Sequence, residues 1–279
     1  MTSLPRRTRT VLLAAGVALA AIGVTTGGGR ELLRRQAAVA RARIGKPLGE
    51  AAIPADKVWK RKSYDGTPLH LLVLGDSIAA GLGAERAKDT LGARIARGLA
   101  GELHRPVSLR TVAVVGSESS ALGGQLDGLP SGYHADVAVI VVGGNDVTHR
   151  VPTATAAGQL EEAVVRLREQ GTEVVVGTCP DLGALRPVPQ PLRSLGSRMS
   201  RQLAQAQAEV AVRNGAHAVS LAHVVGPFFI SNPDEMFSLD RFHPSALGYK
   251  RTAKALLPSV LLALGHAERV PFGHRAPDA

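Results

Sequence analysis

From residue 70 onward, short apolar runs alternate with longer stretches in which apolar positions recur every three or four residues. The short runs predict buried β-strands, and the longer stretches predict amphipathic helices. The predicted strands are 70–75, 109–115, 137–142, 173–178 and 217–221. The predicted helices are 88–103, 153–169, 194–213 and 245–264. Because strands and helices alternate, we expect an α/β fold, a three-layer α/β/α sandwich with a mainly parallel five-stranded sheet.

The N-terminal segment has a different pattern from the rest of the chain. Three arginines before residue 10 precede an uncharged apolar run over 11–24, which contains the small-residue pattern Ala18-Leu19-Ala20. The length of the run suits the apolar region of a signal peptide and is short for a full membrane span. We therefore expect a signal peptide or membrane anchor over 1–29 and an exported, membrane-anchored or secreted protein. Cleavage and membrane orientation stay open.

The following segment, 30–68, is predicted to be a basic helix and a linker. Over 30–44 the apolar residues Leu33, Ala37, Ala40 and Ile44 fall along one side of a helix. Such a helix would lie on anionic lipid headgroups or form a solvated arm. Residues 45–68 contain Pro47, Pro54, Gly66 and Pro68, which indicates a linker. The globular domain is expected over 69–265, with a polar, fraying tail over 266–279.

The charge of the chain is concentrated at its N-terminus. Of the formal net charge of +10, residues 1–46 hold +8, from nine Arg and Lys against Glu31. The remainder is nearly neutral, so we expect no nucleic-acid partner. Cys179 is the single cysteine, which excludes an internal disulfide and a cysteine-rich zinc site. The expected state is a monomer.

Candidate catalytic residues follow the predicted strands or lie in a late loop. Gly75-Asp76-Ser77 ends the first strand, Gly143-Gly144-Asn145-Asp146 follows the third, and Asp240 precedes His243 by three residues. Ligands bind at the carboxyl edge of open α/β sheets. A serine hydroxyl becomes a nucleophile when a histidine takes its proton, and a carboxylate orients that histidine. The pattern therefore indicates acyl transfer.

Each of these positions, and the glycine at 116 in Val115-Gly116-Ser117, also has a purely structural interpretation. Ser77 would cap the following helix, and Gly116 would be an ordinary turn glycine. Asn145 and Asp146 would close a turn, and His243-Pro244 would begin a helix. All four interpretations together require a coincidence at four separate sites, so the catalytic hypothesis is favoured.

Signatures of other enzyme classes are absent from the sequence. No Gly-x-Ser-x-Gly elbow occurs, which argues against the α/β-hydrolase fold. No Gly-x-x-x-x-Gly-Lys-Ser/Thr loop occurs, and Gly81-Leu82-Gly83 lacks the third glycine of a dinucleotide fingerprint.

Four blocks in order resemble the SGNH (GDSL) hydrolase family, over residues 69–263. Its Ser, Gly, Asn and His match Ser77, Gly116, Asn145 and His243, and Ile78 replaces the leucine that the family often has. The resemblance implies a flavodoxin-like fold and an oxyanion hole formed by the backbone N–H groups of Ser77 and Gly116 and the amide of Asn145. Ser77 is then the nucleophile, His243 the base and Asp240 its orienting carboxylate. No metal or other cofactor is implied.

The functional hypothesis is a serine esterase that acts through an acyl-enzyme. Short-chain acyl esters, lipid esters and acetylated sugars stay open as substrates. The alternatives are an acyltransferase with the same triad and a tethered binding module without chemistry. Two loops, 180–193 and 226–243, are expected to shape the site. The second holds Phe228, Phe229, Phe237 and Phe242, of which at least half are expected to anchor the loop rather than line an acyl pocket.

Overall fold

A computed structural model describes residues 28–269 and 271–277, which form a seven-stranded sheet in the order β1-β3-β2-β4-β5-β6-β7. The strands are β1 (Lys57–Trp59), β2 (Leu69–Gly75), β3 (Val107–Thr111), β4 (Val137–Val141), β5 (Glu173–Gly177), β6 (His217–Val219) and β7 (His274–Arg275). The five central strands are parallel, which confirms the predicted α/β fold.

The predicted number of five strands is corrected to seven. β1 and β7 pair antiparallel at the two edges of the sheet. They have three and two residues, too few to show an alternating pattern. β1 lies in the segment predicted as a linker, and β7 lies in the tail that was expected to fray.

Eleven helices accompany the sheet in the described residues. They are α1 (28–44), α2 (Ser77–Ala80), α3 (Leu91–Leu103), α4 (Leu122–Asp127), α5 (Gly144–His149), α6 (Thr153–Glu169), α7 (Leu192–Arg213), α8 (Leu221–Val224), α9 (Gly226–Ser231), α10 (Pro233–Met236) and α11 (Ala246–Ala263). The long helices α3, α6, α7 and α11 are those that the apolar periodicity predicts. Their ends differ from the prediction by at most three residues, and α6 matches it at both ends.

Two apolar cores lie on opposite faces of the sheet, because successive strand residues point to opposite sides. Leu71 and Val73 of β2 belong to the core that contains residues of α3 and α11. Leu72 and Leu74 belong to the core that contains residues of α6 and α7. β2 and β4 are therefore buried on both faces, and the functional chemistry is confined to their ends.

The helix α1 packs against the rest of the protein on the face that the sequence predicts to be apolar. Ala40 on that face is buried. The side-chain carbonyl of Gln36 accepts a hydrogen bond from the Leu192 N–H at 3.0 Å, and Arg43 donates to the Pro187 carbonyl at 3.3 Å. The side of α1 with Leu33, Ala37, Ala40 and Ile44 is thus partly covered by protein, so the interpretation of α1 as a merely solvated arm is wrong, and its contact with lipid headgroups stays a prediction.

The predicted signal peptide or anchor over 1–29 lies outside the described residues, apart from the two glycines that begin α1. Among 28–269 and 271–277, no helix combines the length and the apolar character that crossing a membrane requires.

Candidate active site

The ends of β2 and β4 approach each other closely enough to require a glycine. Gly75 has a φ of +129°, and a Cβ at this position would lie 1.9 Å from the Val141 carbonyl oxygen. The next residue, Asp76, donates its backbone N–H to the same oxygen at 3.0 Å. Asp76 also caps α2, since its carboxylate accepts from the Ile78 N–H at 2.9 Å. The interpretation of Ser77 as the cap is therefore wrong, and its hydroxyl is available for other contacts.

Ser77, His243 and Asp240 form a continuous hydrogen-bonded chain. The distance from Ser77 Oγ to His243 Nε2 is 2.9 Å, and that from His243 Nδ1 to Asp240 Oδ2 is 2.6 Å. When Nδ1 carries the imidazole proton and donates it to Asp240, Nε2 accepts the hydroxyl proton of Ser77. The three side chains thus have the geometry of a nucleophile, a base and an orienting carboxylate.

The loop around Asp240 places both catalytic partners of Ser77. The second carboxylate oxygen of Asp240 accepts from Ser238 Oγ and from the N–H groups of Phe242 and His243, each at 2.9 Å. Burial alone raises the pKa of Asp240, but these bonds and that from the His243 ring outweigh it, so the pKa lies below its usual range. His243-Pro244 does not begin a helix, because Ser245 caps α11.

The candidate oxyanion residues lie in two linked segments. Asn145 is in the first turn of α5, and its side-chain amide donates to the Ser117 carbonyl at 2.9 Å. The Asp146 carboxylate accepts from the Ser119 N–H at 3.1 Å. The loop that contains Gly116 is therefore fixed beside α5. Asn145 lines the same cavity as Ser77 and His243, whereas Gly116 lies in the neighbouring loop and does not line it.

Two buried ionisable groups, the carboxyl of Asp76 and the thiol of Cys179, lie near the ends of the central strands. Burial raises the pKa of Asp76 to about 6, an effect that the N–H groups of Ile78 and Gly144 and the nearby His243 partly offset. Cys179 is fully buried, as the sequence predicts for a packing residue, and burial raises the pKa of its thiol well above the usual value. The sequence analysis did not single out Asp76, although an acid at the end of a buried strand is a candidate for a strongly shifted pKa near a functional site.

A mainly apolar cavity of about 80 Å³ opens beside Ser77. Its polar lining residues are Asp76, Ser77, Asn145, Asp181, His243 and Thr252. Its apolar wall includes Leu182, Leu185, Leu221, Val225, Phe229, Phe237 and Phe242. Three of the four loop phenylalanines thus line the cavity, and the same three pack against the apolar cores, so they anchor this segment as expected while they also line the cavity. Within the segment, 226–236 folds into α9 and α10.

No three His, Cys, Asp or Glu side chains form a cluster fit to hold a metal ion within 28–269 and 271–277. The polar groups at the cavity include the hydroxyl of Ser77, the imidazole of His243 and the amide of Asn145. This set can activate a hydroxyl and donate hydrogen bonds to a developing oxyanion.

Solved structures with the same fold include a lipase/acylhydrolase from Enterococcus faecalis and a catalytic mutant of an acetylxylan esterase from Geobacillus stearothermophilus. The first is 20% identical with a TM-score of 0.54, and the match covers 72% of this chain and 98% of that one. The second is 17% identical with a TM-score of 0.54, and the match covers 74% of this chain and 99% of that one. At these identities the likeness concerns the fold alone.

A closer relative is known from its sequence. A GDSL-like esterase from Mycobacterium tuberculosis is 39% identical over 287 residues, which covers 99% of this chain and 90% of that protein. The profile of the GDSL-like lipase/acylhydrolase family matches residues 73–251, a range that contains Ser77, Asn145 and the Asp240–His243 pair. The chain therefore belongs to the GDSL-like lipase/acylhydrolase family, whose members are serine ester hydrolases.

Proposed function

We propose that the protein hydrolyses carboxylic esters with short acyl chains through an acyl-enzyme on Ser77. The observation that carries this proposal is the chain of hydrogen bonds from Ser77 through His243 to Asp240, at 2.9 and 2.6 Å, beside an apolar cavity. A nucleophile whose base is oriented by a third group is the arrangement that covalent acyl transfer requires.

In the first half-reaction, His243 Nε2 takes the Ser77 hydroxyl proton as Oγ attacks the ester carbonyl carbon. The carbonyl π electrons move to oxygen, and the Asn145 amide with the N–H groups of Ser77 and Gly116 is assigned to this oxyanion. The oxyanion then reforms the carbonyl while the C–O bond breaks, and His243 gives its proton to the leaving alcohol. Water repeats the sequence on the acyl-enzyme, with His243 again as base, and releases the acid and free Ser77.

The size of the cavity supports a short acyl group. A cavity of roughly 150 Å³ lined by apolar side chains binds benzene, which has six carbon atoms. The cavity beside Ser77 has about half that volume, about 80 Å³. It therefore suits an acyl chain of about two to four carbons. Two of the phenylalanines that line it, Phe229 and Phe237, contact each other edge to face with their ring centres 4.9 Å apart.

We also propose that the N-terminal segment directs the protein out of the cell and keeps it at the membrane surface. The support is the basic and apolar pattern of 1–24 and the +8 charge of 1–46. In α1, the basic residues Arg30, Arg34 and Arg41 are exposed, on the side next to the partly covered apolar residues. Exposed arginines are attracted to anionic headgroups.

Replacing Ser77 tests the nucleophile. Ser77→Ala should lower kcat by about 10⁴- to 10⁶-fold toward a short-chain ester, because it removes the atom that bonds to the acyl group. It should also abolish covalent labelling by a fluorophosphonate. Ser231→Ala, which changes an exposed serine of α9, is the control and should keep both activity and labelling. Substantial turnover by purified, folded Ser77→Ala would refute the role.

Two adjacent phenylalanines test the acyl cavity. Phe229 lines it, while Phe228 is exposed and packs under Arg251. In a series of 4-nitrophenyl esters, the wild type should prefer acyl chains of about two to four carbons, which match the cavity volume. Phe229→Ala should move the optimum of kcat/KM to longer chains, and Phe228→Ala should leave it unchanged. A wild-type optimum at long chains, or equal shifts in both variants, would contradict the assignment.

Protease treatment of intact cells tests the location. If the protein is exported, external protease should degrade the catalytic domain, as seen by an antibody to that domain. A cytoplasmic protein should serve as the control for cell integrity and stay intact. Protection of the catalytic domain until the cells are lysed would reject export.

A further inference from the structure

A second cavity, of about 410 Å³, lies on the other side of the chain segment 182–186 that walls the acyl cavity. Ala184 lines both cavities, so one short turn of chain separates them. The second cavity differs sharply in chemistry, because three arginines, two serines and Gln190 line it, with Ala184 and Ile230 as its apolar side chains. The arginines and serines are Arg186, Arg193, Arg201, Ser194 and Ser197.

The charge of this cavity is largely uncompensated. Among the residues that the structure describes, no carboxylate lies within 4.0 Å of the guanidinium nitrogens of Arg186 or Arg193. The distance from Arg201 Nε to Asp181 Oδ2 is 3.9 Å, which is at the limit of an ion pair. Three cations around one concave surface repel each other, and an anion bound between them would relieve that repulsion.

Local hydrogen bonds hold the lining in place. Arg186 donates from one terminal nitrogen to the Ile230 carbonyl at 3.1 Å, which fixes its guanidinium and leaves its other N–H groups for a ligand. Arg193 is half-buried in the first turn of α7, where the positive end of the helix dipole adds to its charge. The N–H groups of Leu192 and Ser194 in this turn are bonded to Gln36 and Gln190, so side chains must supply the ligand contacts.

We propose that this cavity binds an oxyanion of the phosphate or carboxylate type. Guanidinium groups recognise such anions through paired N–H donors. The Ser197 hydroxyl can add a contact, while the Ser194 hydroxyl donates to the Gln190 side chain at 2.7 Å. Ile230 offers an apolar surface for carbon atoms attached to the anion. The anion has two possible sources, free phosphate or a charged group carried by the ester that Ser77 cleaves. The second source rests on the proposed esterase function.

Titration calorimetry with inorganic phosphate tests the site. The wild type should show saturable binding, and Arg193→Ala and Arg186→Ala should each weaken it at least about tenfold, as expected for the loss of a charge-assisted hydrogen bond. Arg198→Ala is the matched control, because Arg198 is an exposed arginine of α7 that does not line the cavity. Absence of saturable binding to the wild type would overturn the proposal, as would equal weakening by Arg198→Ala.

A pair of esters distinguishes the two sources. If the ester carries the anion, Arg193→Ala should lower kcat/KM for 4-acetoxybenzoate about tenfold relative to phenyl acetate, which has no charge. If the anion is free phosphate, the variant should lose phosphate binding and treat both esters as the wild type does. Ser77→Ala should bind phosphate normally in either case, so failure of the esterase proposal is separable from failure of the anion site.

Discussion

The close approach of β2 and β4 at their carboxyl ends determines the geometry of the active site. Gly75 brings its backbone against the Val141 carbonyl, where no side chain has room, and the Asp76 N–H bonds to the same oxygen. Ser77 and Asn145 each follow one of these strand ends by a few residues. The distance between the nucleophile and the amide donor is therefore set by a backbone contact between buried strands, the most rigid part of the fold.

The two buried aspartates Asp76 and Asp240 have opposite pKa shifts, because burial outweighs the hydrogen bonds at Asp76 and the hydrogen bonds outweigh burial at Asp240. Burial raises the pKa of both carboxyl groups. The hydrogen bonds to Asp240 outweigh burial and lower its pKa, whereas the pKa of Asp76 remains raised, at about 6. The interactions of Asp240 thus stabilise the fold at neutral pH, and this contribution is lost as the pH falls through its lowered pKa. The Asp76 carboxyl contributes with the opposite sign, since its share of the stability is lost as the pH rises through about 6.

The sequence predicted the parts of the protein whose signals are local. Long apolar runs predicted β2 and β4, and the motifs around Ser77, Asn145 and Asp240 gave the triad and the amide, because each motif spans only a few residues. The edge strands β1 and β7 were too short to leave a pattern. The two cavities were not predictable, since their walls join residues such as Leu182, Phe229 and Arg193 from segments whose packing only the tertiary structure defines.

In the proposed reaction, an acyl group is bound covalently to Ser77 before water releases it. This bond can be detected by mixing the enzyme with 4-nitrophenyl acetate, quenching with acid within one turnover and analysing the peptides by mass spectrometry. We expect one acetyl group per chain, located on Ser77, that appears with the first equivalent of nitrophenol and disappears as water hydrolyses the acyl-enzyme. Full release of nitrophenol with acetyl on another residue, or with no acetylated peptide at any quench time, would contradict it.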